Sequence, residues 1–290
     1  MKKIIISLVS SVMLLVFWGT SAMAAVIPVP VGSQPLPSAP TYVVSEQKIK
    51  ITIDKSKRSI VSEAISNSAP IVKSAGFNSV ISFVFTTLKS EVNLAKNTFD
   101  YTFSYDSYIG FQPTYVLPTL KVLQSTKNNG PYTPLITKGA TFRWTGEKLI
   151  VSVPLKTTYY KGTVSYDVMW SDGSYKSKFD EQSYQLMNKK GLKYPSYTDS
   201  FSGMVMFEPQ TDWIKDKSGN PTCGLSNTDR AKYIAWYEAK YKSKRDWSGS
   251  VTQIHHIRPC AYGGTNDYSN LIPLPTAFHQ QVVTPWWANF

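Results

Sequence analysis

Polar and apolar residues alternate in part from Thr41 onward. The run Tyr42-Val43-Val44 to Lys48-Ile49-Lys50-Ile51-Thr52-Ile53 keeps a partial period of two, which predicts a strand over 41–53. The period then changes. Over 58–95, Ile60, Val61, Ala64 and Ile65 fall on one helical face, and a second apolar set runs from Val80 to Leu88. Gly76 lies between the two sets, so the pattern predicts a helical hairpin. Amphipathic helices usually pack on their own core; membrane activity during delivery is the other use open to such a pair. From 99 to 207 the strand pattern returns. FDYTFSYDSYIGF, KLIVSVPL, GTVSYDVMW and FSGMVMF are rich in Tyr, Val and Thr and are bounded by Gly, Asn, Asp or Pro. No repeat of fixed period is present.

A turn-rich stretch, TDWIKDKSGNPTCG at 211–224, marks a domain boundary. Ser226 and Asp229 follow with capping-box spacing, and a helix is predicted over about Arg230 to Tyr241 with Ile234, Tyr237 and Tyr241 on one face. Lys240, Lys242, Lys244 and Arg245 close it as a basic cluster, either a solvated face or a phosphate contact. Val251 to Ile257 is apolar and β-branched and predicts a strand ending at Pro259. Gly263-Gly264 supplies a turn, and Asp267 caps or braces the polar connection Asn266 to Asn270. Asn270 to Leu274 predicts a second strand, and Pro275-Thr276 opens a helix that carries His279.

Composition adds the compartment. Hydrophobic residues make up 42% of the 290 and charged residues 17%, enough apolar material to exclude global disorder. Lys2 and Lys3 precede an apolar run, Ile4 to Trp18, and Ser21-Ala22-Met23-Ala24 ends in an A-x-A pattern. This is the form of a secretory signal cleaved after Ala24; an uncleaved anchor is the alternative, but the run is short for a bilayer span of about 20 residues. Residues 25–40 are a Pro-rich linker. The expected layout is therefore a signal peptide at 1–24, the linker at 25–40, an accessory α+β domain at 41–210 and a C-terminal domain at 211–290, in a secreted protein.

The formal net charge is +12, of which Lys2 and Lys3 carry two, leaving +10; from 211 onward nine Lys/Arg against six Asp/Glu leave +3. Such a balance favours polyanions, including nucleic acid, anionic cell walls and membranes, without choosing among them. The two cysteines, Cys223 and Cys260, most simply form one disulfide in an exported chain. A structural zinc held by both cysteines and two histidines is the alternative.

The candidate chemistry is confined to one window. All three histidines of the chain, His255, His256 and His279, lie within 25 residues. Residues 99–207 hold no histidine or cysteine, and their carboxylates, Asp106, Asp180 and Glu181 among them, suggest no constellation, so this region reads as a binding or delivery module. On a strand, adjacent His255 and His256 point to opposite sides, so one can meet a metal while the other meets an attacking water. Neutral imidazole suits both roles near neutral pH, and phosphodiester hydrolysis needs both a base for water and a cation for the developing charge. An amide such as Asn270 can hold the loop or the base.

The string H-H-I-x-P, then G-G-x-x-D-x-x-N-L, then His nine residues after that Asn, resembles the HNH endonuclease superfamily with its ββα-metal motif, and is similar to nuclease domains of secreted bacterial toxins, including colicin-type DNases. The resemblance covers about residues 223–290. It implies that His255 and His279 are metal ligands, that His256 is the general base, and that Asn270 positions the base and braces the finger. It further implies one divalent ion (Mg, Mn, Zn or Ni), a DNA or RNA substrate, and 5′-phosphate and 3′-hydroxyl product ends. The chain departs from the pattern in lacking the CxxC pairs of many members and a third histidine after His279, which leaves the preferred metal open. Arg258 is a candidate phosphate contact or a surface ion pair. Trp286 and Trp287 are expected to pack the last helix on the core, with base stacking as the alternative.

The expected fold is thus α+β: an N-terminal helical hairpin with a β-rich region, followed by a small ββα-metal finger. The expected function is an exported metal-dependent endonuclease, either an antibacterial toxin with an immunity partner or a scavenging nuclease. The competing class is a non-catalytic, basic cell-surface or nucleic-acid-binding protein with a structural HNH-like finger.

Overall fold

A computed structural model describes residues 41–54, 59–65, 81–110, 112–171, 175–218 and 223–290. The signal segment 1–24, the linker 25–40 and the turn expected at Gly76 lie outside them.

The fold is mostly antiparallel β-sheet, and the α+β expectation with an N-terminal helical hairpin is overturned. Strands β1 (Thr41–Asp54), β2 (Ser59–Ile65), β3 (Ile81–Asn93), β4 (Thr98–Ile109) and β7 (Lys148–Pro154) form one sheet in the order β2-β1-β3-β4-β7. Strands β5 (Tyr115–Ser125), β6 (Thr133–Gly139), β8 (Thr158–Met169), β9 (Tyr175–Glu181) and β10 (Gln185–Met187) form a second, ordered β10-β8-β5-β6 with β9 also paired to β8.

The segment read as a second helix is β3, and its burial shows why. Ser82, Val84, Thr86, Leu88, Ser90 and Val92 are buried, while Phe83, Phe85, Thr87, Lys89 and Glu91 between them are half-buried. That is a period of two, on a run of β-branched and aromatic residues that prefer extended backbone. The long β1 settles the matter. It pairs with β3 along its whole length and with β2 over Lys48–Asp54, so both supposed helices are claimed by one partner strand.

The two sheets face each other across an aromatic core. Phe99 meets Tyr160 at 5.1 Å and Phe103 meets Tyr166 at 5.4 Å between ring centroids, joining β4 to β8. Tyr101, also on β4 and fully buried, lies against Gly162 of β8 so closely that a Cβ there would fall 2.4 Å from its ring. Gly162→Ala should therefore cost about 1–3 kcal/mol, as overpacking of a close-packed core does. A lowered midpoint in urea unfolding, with an unchanged slope, would show it.

The C-terminal region adds α1 (Asn227–Tyr241) and a two-stranded ladder of β11 (Thr252–His256) with β12 (Leu271–Pro275). After β12 come α2 (Thr276–Phe278), a π-helical turn at His279–Val283, and α3 (Thr284–Ala288). At the start of α1 the Ser226 hydroxyl accepts from the Asp229 amide, and the Asp229 carboxylate accepts in return from the Ser226 amide.

This finger shares a core with the sandwich. Ile257, Ile272, Leu274, Phe278, Val283 and Trp286 pack with Tyr159, Leu186, Tyr194, Tyr197 and Met206. Trp286 is the anchor: its indole N–H donates to Leu192 O at 3.0 Å, and its own carbonyl accepts from the buried Asn188 amide at 3.1 Å. No helix among the described residues is long and apolar enough to cross a membrane.

Candidate functional site

The β11–β12 ladder places His255 opposite Ile272 and His256 opposite Leu271. Strand alternation then sends the two imidazoles to different sides. His255 is buried at 8% exposure, and His256 is half-buried. The helical stretch after β12 returns His279 to the His255 side, where His279 Nε2 and His255 Nδ1 face each other at 3.1 Å.

Burial holds both rings in the neutral form. It pushes His255 down to about 3, with the neighbouring His279 and His256 adding to the shift, and it lowers His279 as well. The outer nitrogens, His255 Nε2 and His279 Nδ1, are buried with no hydrogen-bond partner among the described residues. If one ring donates to the other, His255 Nε2 or His279 Nδ1 must carry a buried N–H with no protein acceptor, at a cost of about 1–3 kcal/mol. If both facing nitrogens are lone pairs, they repel unless a cation lies between them. Two imidazole nitrogens each about 2.0–2.1 Å from one ion can be up to about 4.2 Å apart, so the observed separation suits a shared ion. Among the described residues no thiol, carboxylate or third imidazole joins this pair in a three-residue cluster. Water and phosphate oxygens are left to complete any coordination shell.

His256 is held differently. Its Nε2 lies 2.9 Å from Asn266 Oδ1, and the Asn266 amide nitrogen donates to Gly224 O at 3.0 Å. Because the Gly224 carbonyl can only accept, it fixes which end of the Asn266 amide faces the imidazole. Nε2 is then the donor, which in a neutral imidazole leaves the lone pair on Nδ1. Asn266 was not among the residues singled out from the sequence; a polar residue in a polar connection carries no local signal.

Asn270 braces the finger. Its Oδ1 accepts from Arg258 N at 2.8 Å, and its Nδ2 donates to Arg258 O at 3.1 Å and Thr265 O at 2.9 Å. Its carbonyl also accepts from Ile257 N at 2.8 Å. It makes no hydrogen bond to the His256 ring, which Asn266 contacts instead. The Gly-Gly turn is required sterically: Gly263 has φ +79°, and a Cβ on Gly264 would fall 1.9 Å from Arg258 O. Asp267 receives the Thr265 hydroxyl at 2.6 Å.

Cys223 and Cys260 are joined in a disulfide with Cα atoms 5.3 Å apart. A His256 ring nitrogen and the two sulfurs lie within 4.8 Å of one another, whereas His255 and His279 are outside that group. The arrangement does not match a four-ligand site of both cysteines and two histidines.

The basic residues separate by environment. The Arg258 Nε donates to Tyr262 O at 2.6 Å, and its guanidinium lies over the Trp213 ring at 4.5 Å. The residue is exposed and forms no ion pair with a carboxylate among the described residues. Lys242 and Lys244 are exposed, and Lys240 lies over the rings of Trp236 and Tyr241 at 4.9 and 5.2 Å. Arg245 is committed elsewhere, in a buried ion pair with Asp199. Trp286 is buried in the shared core, and Trp287 stacks on Trp213 at 6.4 Å.

No family model matches the chain, and no curated protein or solved structure matches it.

Proposed function

We propose that this chain is an exported, metal-dependent endonuclease of the HNH type that hydrolyses phosphodiester bonds in DNA. The observation that carries the reading is the neutral pair of buried His255 and half-buried His279, whose Nδ1 and Nε2 face each other at 3.1 Å, with His256 on the opposite side of the same strand.

His255 and His279 would hold one divalent ion (Mg, Mn, Zn or Ni), which supplies neutralisation of charge at the phosphate and the leaving oxygen. His256 takes the proton of the attacking water on Nδ1, the lone pair left free by its hydrogen bond to Asn266. Asn270 and the disulfide keep the loop between the strands in place, and Arg258 offers charged donors to the substrate backbone. A secreted toxin and a scavenging nuclease would share this chemistry; neutralisation by a small acidic protein encoded beside it would favour the toxin.

Plasmid DNA incubated with residues 25–290 should be cut in the presence of at least one of Mg, Mn, Zn or Ni and spared in EDTA. His255→Ala and His279→Ala should each raise the metal concentration needed for half-maximal cutting. Folded protein that cuts neither DNA nor RNA with any metal would sink the enzyme reading in favour of a non-catalytic nucleic-acid-binding or cell-surface finger. RNA cut in preference to DNA would correct the substrate.

Asn266 gives a finer test. Asn266→Ala should lower cleavage by about 10–100-fold, the range found when a group orienting a site histidine is lost. Asn266→Asp, which keeps an acceptor for the His256 N–H, should retain more activity in the same assay.

A further inference from the structure

The disulfide lies unexpectedly near the imidazole that the proposed reaction uses as its base. We propose that, once this bond is reduced, Cys223, Cys260 and His256 form a binding site for a thiophilic divalent cation such as zinc, and that the cation there occupies the lone pair required for cleavage. The binding site stands on its own geometry; its effect on cleavage rests on the nuclease reading.

One ligand atom from each of the three residues already falls within a 4.8 Å span, and all three residues are half-buried, sheltered yet reachable. Two thiolates, one imidazole and a water make a common zinc ligand set. The imidazole is prepared for the role. A metal-binding histidine ordinarily donates its second ring N–H to an oxygen that fixes its orientation, and the Asn266 carbonyl performs that task at 2.9 Å. With Nε2 engaged by Asn266, Nδ1 is the ring nitrogen left for a cation, so ligation through it would take the lone pair that proton abstraction needs.

The sulfurs must separate before they can share an ion. Two thiolates each about 2.3 Å from one zinc can stand up to about 4.6 Å apart. A Cβ added at Gly224, next to Cys223, would meet no heavy atom outside its own chain neighbours within 4 Å, so there is open space on that side of the backbone.

The chemistry balances with a dithiol as reductant. The S–S bond takes two electrons and two protons, giving two protein thiols while the dithiol becomes a disulfide. Binding of the cation then forms two sulfur–metal bonds and releases both thiol protons. In the oxidised protein neither sulfur is a thiolate, and His256 stays free. A chain built this way would be latched where thiols are kept reduced and released where disulfides form.

The test uses residues 25–290, oxidised or reduced with a dithiol and then freed of reductant without air. Cobalt(II) replaces zinc as the probe, because thiolate ligation gives a near-ultraviolet charge-transfer band that histidine ligation at His255 and His279 does not. The reduced protein should show the band and the oxidised protein should not. Zinc should displace it. Cys223→Ser and Cys260→Ser should each weaken it, and His256→Ala should loosen cobalt binding.

Near-ultraviolet circular dichroism follows the fold throughout. If reduction loosens the finger, cobalt or zinc should restore the native signal. Absence of the band, failure of metal to restore that signal, or unchanged affinity in His256→Ala would each overturn the site. For the effect on cleavage, zinc at a concentration that the oxidised protein tolerates should silence the reduced protein, and cutting should return on reoxidation; equal cleavage by both forms would overturn it. Cleavage by the oxidised protein with no band on reduction sinks this proposal alone; a band with no cleavage by the oxidised protein sinks the nuclease reading and leaves the cation site standing.

Discussion

Replacing His256 with alanine should lower metal-dependent plasmid cleavage by about 10²–10⁴-fold, the contribution of a positioned general base. The fold should be little affected. The His256 ring is half-buried, belongs to none of the hydrophobic clusters, and has one hydrogen bond among the described residues, to Asn266. Ion retention should also persist, because the facing nitrogens belong to His255 and His279. The measurement is therefore threefold: cleavage rate, thermal unfolding and metal content on the same preparation. A large loss of rate with the other two unchanged assigns the base. A rate close to that of the parent protein would remove His256 from the mechanism, whatever the metal requirement.

Arg245→Ala should destabilise the protein by about 3–5 kcal/mol, the usual cost of breaking a buried ion pair from one side. Asp199 is fully buried and accepts hydrogen bonds from the Tyr237 hydroxyl and from Ser202, while Arg245 supplies the positive charge. Without the guanidinium, a buried carboxylate remains with no compensating charge. Arg245→Lys should recover only part of the loss, since an ammonium is a compact point charge that cannot reproduce the guanidinium's fork of donors or its contacts over the rings of Phe201 and Trp247 at 4.9 and 5.8 Å. Asp199→Leu combined with Arg245→Met should recover more, because no buried charge is then left unpaired. Urea unfolding midpoints of the four proteins check this. A residue whose work was to grip phosphate would instead leave the midpoint in place and reduce the salt dependence of DNA binding.

The fate of Arg245 shows where sequence reading ends. The basic cluster after α1 was legible as charge, but its division was not. Lys242 and Lys244 remain in solvent, whereas Arg245 is claimed by an aspartate 46 residues earlier in the chain. Local pattern carries no trace of such a partner. The same holds for 58–95, where apolar spacing suited a helix until β1 supplied a partner for both segments.

Legibility was best where the contacts are short in sequence. The strand expected over Val251–Ile257 lies at Thr252–His256, and the one expected over Asn270–Leu274 lies at Leu271–Pro275. The helix expected to begin near Arg230 starts at Asn227, under the Ser226–Asp229 cap. His255 and His279 meet because one ladder and one helical turn separate them, a distance over which alternation and turn chemistry suffice. Asn266 escaped notice for the opposite reason. Its importance comes from Gly224, a backbone carbonyl brought in from 42 residues away.

Trp286 has a consequence for how this finger could be inherited. Its indole is bonded to Leu192, its carbonyl to Asn188, and its ring meets Tyr194 at 4.8 Å, all on the segment that leaves the sandwich. Recombination that joined the finger to a foreign carrier would strip this cover from Trp286, Phe278 and Ile272 together. The smallest unit that a lineage can exchange intact therefore includes the stretch around 184–209, and descent should couple the two even where their chemistry is separate.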